Sequence, residues 1–87
     1  MSDCHDEKAT EIMMRKRFSA NLKRRMKAMN ISHNELGLKV RLQGSEIYRY
    51  TAGQIFPRIE RYARLCDALE VDPSYLIRKS RFADPDV

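Results

Sequence analysis

This chain predicts an all-α fold, a single compact domain of five short helices. Three observations lead there. Apolar residues recur at helical steps of three and four over most of the 87 residues. No run of β-branched residues alternates with period two, so strands are not expected. Residues that start and stop helices punctuate the chain at short intervals, and there is no internal repeat.

Residues 1–13 are assigned to a flexible N-terminal tail, because Met1 to Thr10 is acidic and lacks an apolar period. A helix start as early as Glu11 is compatible with the pattern. The well-supported first helix covers 18–29, where Phe18, Leu22, Met26 and Met29 share one face opposite Lys23, Arg24 and Lys27. Asn30 ends it. The second helix, 32–40, opens with Ser32 and Glu35 at capping-box spacing, where side-chain oxygens satisfy orphan backbone donors. The third, 43–52, stops before Gly53, a residue that accepts the left-handed conformation at little cost. Leu36, Val40, Leu42, Ile47 and Tyr50 can converge on one core, leaving Gln43, Gly44, Ser45, Glu46, Tyr48 and Arg49 outward.

Pro57 precedes a fourth helix at 58–70, which is amphipathic. Ile59, Tyr62, Ala63, Cys66 and Leu69 are expected on its apolar side, with Arg58, Arg61, Arg64 and Asp67 opposite. Asp72-Pro73 signals a fifth helix of about two turns carrying Tyr75, Leu76 and Ile77. The folded domain is thus placed at 14–79, with 80–87 as a C-terminal tail.

A domain this small buries only ~60–65% of its unfolded surface, so marginal stability or dimerisation is expected. The formal net charge of +5 favours polyanionic partners. Its distribution is sharper than its sum. No acidic residue occurs from Ile12 to Asn34, while Arg15, Lys16, Arg17, Lys23, Arg24, Arg25 and Lys27 supply seven positive charges. Such a stretch is either a solvated face or a surface that follows a phosphate backbone.

Cys4 and Cys66 do not make a disulfide framework, and Cys66 reads as a small core residue. Cys4-His5 has no second pair to complete tetrahedral coordination, so no metal site is expected. No cofactor is expected either. Neither a secretory signal nor a run of membrane-spanning length is present in the sequence, which makes a reducing, cytoplasmic setting the expectation and a membrane partner unexpected. His5 and His33 lack a plausible nucleophile beside them and no glycine-rich phosphate loop exists, so an enzyme is not expected.

In register over about 18–77, the segments FSANLKRRMKAMNIS, HNELGLKV, QGSEIYRYTAG and PRIERYARLCDALEVDPSYLI resemble the lambda-repressor-like, or XRE-type, helix-turn-helix family. Several positions depart from its pattern. Arg41 stands where the turn commonly holds glycine, and a left-handed Arg41 would cost about 1–2 kcal/mol. Gly37 replaces the favoured alanine. Met26 and Thr51 stand where many members pair an arginine with a glutamate, so both partners of that pair are missing together.

The resemblance implies that the third helix lies in a DNA major groove, with Gln43, Gly44, Ser45 and Arg49 meeting base edges. Arg49 can bond bidentately to guanine, and its alternative is an intrahelical pair with Glu46. Tyr48 is a base or phosphate contact, or packs on the surface. Phosphate contacts are expected from Ser32 and His33 at the second helix N-terminus, from Gln54 and Arg58 around the following loop, and from an arm of Arg15, Lys16 and Arg17. His33 is either such a donor or simply exposed.

Specific affinity in this family usually needs two copies on an inverted repeat, so a homodimer is expected, with Tyr75, Leu76 and Phe82 as its interface or, alternatively, as internal packing. The implied function is a sequence-specific double-stranded DNA-binding regulator, a repressor or autoregulator of phage or mobile-element type without a small-molecule ligand. The alternative is a protein-interaction adaptor, or antitoxin-like partner, on the same scaffold.

Overall fold

The computed structural model describes residues 3–79, with side chains from Lys8 onward. Among the described residues it holds four α-helices: α1 (Asp3–Met29), α2 (His33–Val40), α3 (Gly44–Thr51) and α4 (Ile59–Leu69). A single 3-10 turn, Tyr75–Ile77, follows. The all-α expectation is correct, but five helices are not found.

The fifth helix is broken by a contact from α4. In an α-helix the Pro73 carbonyl would accept from the Ile77 N–H. Here the Tyr62 hydroxyl donates to that carbonyl, and the Ile77 N–H reaches Ser74 O at 3.4 Å instead. The segment tightens into one turn that drives Leu76 fully into the core.

The larger difference lies at the other end. Residues 3–13, expected as a tail, continue α1 without a break and make it 27 residues long. Glu7, Lys8, Ala9, Glu11 and Met13 are good helix formers, neither glycine nor proline interrupts the stretch, and Glu11–Arg15 has favourable i, i+4 spacing. Among the α1 side chains described, the first to be fully buried is Phe18. At about 1.5 Å per residue the whole helix runs roughly 40 Å, which accounts for the 44 Å longest dimension.

Phe18, Leu22 and Met26 from α1, Leu36 and Val40 from α2, Ile47 and Tyr50 from α3, and Tyr62, Leu65, Cys66 and Leu69 from α4 form one cluster with Leu76. Phe18 is its hub. Its ring centre lies 5.8 Å from Tyr50, 5.1 Å from Phe56 and 6.0 Å from Tyr62, a spacing at which aromatic pairs add to area burial. On α4 the buried stripe is Tyr62, Leu65, Cys66 and Leu69. Ile59, expected inward, is 79% exposed at the first turn, where the core has ended, and Ala63 is exposed too.

Long side chains tie the helix ends together. Arg25 Nε donates to Leu69 O at 2.9 Å, and Arg64 Nη1 to Val40 O at 3.2 Å. Each guanidinium satisfies a carbonyl that a helix C-terminus leaves orphaned. Asn21 Nδ2 holds Arg78 O at 2.9 Å and pins the C-terminal segment to α1.

Candidate nucleic-acid interface

The α2–α3 pair is set by its punctuation. Ser32 caps α2 as its sequence predicts: its Oγ accepts from Glu35 N at 3.1 Å, and Glu35 Oε1 accepts from Ser32 N at 2.8 Å. That box leaves the His33 and Asn34 N–H groups of the first turn without an acceptor among the described residues, available to an anion. At the other end Arg41 is left-handed, with φ 62° and ψ 43°. The Leu42 N–H then returns to Gly37 O at 2.8 Å. This turn passes so close to α2 that a Cβ on residue 37 would lie 2.5 Å from Leu42 O. Glycine at 37 is what lets the two helices approach.

α3 buries Ile47, Tyr50 and Thr51 and turns Ser45, Tyr48 and Arg49 to the outside. Tyr48 is 58% exposed. Gln43 is the α3 N-cap residue and is exposed, with its Oε1 3.5 Å from the Ser45 hydroxyl. Gly44 is half-buried because Asn34 lies over it; an added Cβ would fall 2.0 Å from Asn34 Oδ1. Asn34 therefore shares the face on which Gly44 was expected to contact bases.

Glu46 does not pair with Arg49. Its carboxylate accepts from the Tyr50 hydroxyl at 2.8 Å and from the Arg61 guanidinium of α4. Glu46, expected outward, is thus half-buried against α4, and Arg49 has no partner among the described residues. Burial first, and then the bond to Glu46, hold the Tyr50 hydroxyl above its ordinary range, so it stays a donor.

Where α1 ends and α2 begins, a hollow of about 610 Å³ is lined by Lys23, Lys27, Ser32, His33, Tyr48 and Thr51, with Met26 at its wall. Met26 and Thr51, the two positions at which the resemblance implied a charged pair, both line it. Thr51 is well satisfied. Its carbonyl accepts from Ser19 Oγ, and its hydroxyl donates to Tyr48 O at 2.9 Å.

A hydroxyl has one proton, so the 3.1 Å contact between His33 Nε2 and Thr51 Oγ1 is assigned as donation from the ring. The His33 Nε2–H is then turned inward. The remaining donors at this corner are the two backbone N–H groups and the two lysines. Sequence reading placed Lys23 and Lys27 on a basic face without assigning them to this site; their i, i+4 spacing just ahead of the α2 cap was the available signal.

Arg15 and Gln54, both candidate phosphate contacts, meet in a second groove of about 490 Å³ beside the loop after α3. Arg58 is the exposed N-cap residue of α4, while Lys16 is exposed and Arg17 half-buried on α1. Leu76 must be removed from any surface role, since it is completely buried. Tyr75 is half-buried with the Arg78 guanidinium 4.3 Å from its ring centre, and Phe82 lies outside the described residues. Of the expected dimer face, Leu76 is therefore unavailable at the surface and Tyr75 only partly exposed.

Among the described residues no group of three His, Cys, Asp or Glu side chains could hold a metal ion, and no helix is long and apolar enough to cross a membrane. Comparison with curated proteins and with solved structures returns no match. The family described as "Helix-turn-helix domain" matches residues 17–76, which contain the capped α2, the left-handed turn at Arg41 and the outward face of α3. On that match and that geometry, the chain belongs to the helix-turn-helix DNA-binding family of the XRE/Cro-like type.

Proposed function

We propose that this chain is a sequence-specific double-stranded DNA-binding transcriptional regulator. In this reading α3 lies in the major groove, Arg49 reads guanine, and Ser45 and Gln43 contact neighbouring base edges. The backbone N–H groups of His33 and Asn34, with Lys23 and Lys27, seat one phosphate strand. Arg15, Gln54 and Arg58 contact another part of the backbone. Two copies bind an inverted repeat, and the protein acts as a repressor or autoregulator of phage or mobile-element type by occupying its operator.

The observation that carries the reading is the outward face of α3. Arg49 has no partner there among the described residues, Glu46 being taken by Tyr50 and Arg61. A guanidinium fork exposed on a short helix, beside unbonded helix N–H groups, has the donor pattern of a groove reader.

Selection of bound sites from a randomised duplex pool, followed by titration at two salt concentrations, tests it. A palindromic consensus and steep salt dependence are expected. A protein-interaction adaptor on this scaffold would give no consensus and neither tight nor salt-sensitive binding.

A further inference from the structure

We propose that Asn34 of α2, rather than residue 44, is the side chain that reads a base at the start of α3, and that the base is adenine. This deepens the DNA-binding reading above and rests on it. A base contact was expected at position 44, yet Gly44 brings no side chain there.

Nothing in the backbone demands glycine at this position. Of the three glycines only Gly53 has a positive φ, and Gly44 is the first residue of α3. A Cβ on Gly44 would lie 3.5 Å from Asn34 Cα, an ordinary contact. What it would strike is the end of the Asn34 side chain, Oδ1 at 2.0 Å and Cγ at 3.1 Å. The Asn34 amide therefore lies in the volume that a side chain on residue 44 would fill. Glycine also lets a duplex approach the α3 backbone closely enough for so short a side chain to reach it.

Two properties of that amide suit base reading. Asn34 is exposed, and neither its side-chain oxygen nor its nitrogen has a hydrogen-bond partner among the described residues. An amide sets a donor beside an acceptor, whichever way round they are assigned. Adenine presents the matching pair in the major groove, the N7 acceptor and the N6 donor. Arg49 offers donors alone and cannot make that distinction. Asn34 is held in place as well, as the second residue of α2 inside the Ser32–Glu35 capping box. Since its backbone N–H belongs to the proposed phosphate seat, one residue touches both the strand backbone and a base edge.

The test is site selection from the randomised pool, followed by affinities for single-base variants of the consensus. The wild-type half-site is expected to hold an adenine at a position other than the one Arg49 governs. Asn34→Ala should lower the preference for that adenine ~10-fold, while binding to unrelated duplexes and helical content change little. Asn34→Asp keeps the size and is favourable in the first turn of a helix, but its carboxylate only accepts. It should move the preference at that same position from adenine towards cytosine, whose N4 group donates. An asparagine with a purely structural role would give no such transfer. Gly44→Ala should relax the same position, because its methyl displaces the amide, and joining it to Asn34→Ala should add little further loss.

An Asn34→Ala protein that keeps the adenine preference, or that loses affinity for all sequences alike, overturns the assignment. So does a Gly44→Ala effect at a different base position. If Arg49→Gln still relaxes its own guanine in those cases, base reading by α3 stands and this inference alone falls. A wild-type chain that selects no consensus removes both.

Discussion

Gly37→Ala sets two known effects against each other at one atom. Alanine favours a helix interior over glycine by about 0.8–1.0 kcal/mol, and residue 37 lies inside α2. Against that, the added methyl would lie 2.5 Å from Leu42 O and 3.4 Å from Gln43 C and Gly44 N, where ordinary contact begins at 3.4 Å. The obstacle is turn backbone rather than a flexible side-chain end, so the carbonyl must withdraw by roughly 0.9 Å or α2 and α3 must spread. Overpacking of that kind costs about 1–3 kcal/mol, which exceeds the propensity gain over most of its range.

The expected result is net destabilisation of about 1 kcal/mol, a fall in Tm of roughly 4–8 °C for a domain of this size. Thermal melting and urea unfolding followed by circular dichroism measure it. Duplex affinity, taken at a temperature where both proteins are folded, should fall as well, because the substitution alters how α3 is presented. A rise in Tm of several degrees would show that the turn relaxes freely, and would refute the claim that the glycine is required for close approach.

Three further outcomes follow from the same structure. Arg49→Gln should weaken binding to the selected duplex by about 1–3 kcal/mol and relax the preference at one base position, read by competition with single-base variants; an unchanged preference would remove Arg49 from base reading. Replacing Lys23 and Lys27 together by alanine should weaken binding to all sequences alike and reduce the slope of log affinity against log salt by about 2; an unaltered slope means that the hollow does not seat phosphate. Burial, reinforced by neighbouring Cys66, pushes the Tyr62 hydroxyl up to about 12, so between the ordinary tyrosine value near 10 and that value the unfolded chain has lost a proton that the folded one keeps. Stability should therefore fall as pH rises through that window, by up to about 2–3 kcal/mol, and Tyr62→Phe, though less stable at neutral pH, should show a shallower alkaline decline; equal declines would disprove the assignment.

The parts of the fold that were legible in the sequence are those decided within a few residues. The Ser32–Glu35 box needs only its own spacing, and both hydrogen bonds are present. The inward residues of α2 and α3 follow from period and from two stops. The 3-10 turn was not legible, because the Tyr62 hydroxyl that claims Pro73 O comes from eleven residues away. The early start of α1 was hidden since an acidic, polar stretch has no apolar period, although it holds no glycine or proline to stop a helix. Leu76 illustrates the limit at the site itself: a large apolar residue near a chain end reads equally well as interface or core, and only its complete burial in the folded cluster decides. The outward α3 residues could be read from the resemblance, but the commitment of Glu46 to α4 depends on where Arg61 arrives in space.

That last contact reaches beyond packing. Arg61 sits on a different helix from Arg49, yet by occupying the carboxylate of residue 46 it decides which charge the reading surface displays. Were Arg61 exchanged for methionine, Glu46 would keep only the Tyr50 hydroxyl and, three positions before Arg49, would compete with guanine for its fork. On the proposed reading, base preference would be set partly by a side chain that need never meet a nucleotide, and altered operator choice would arise through α4 while the sequence of α3 stays the same.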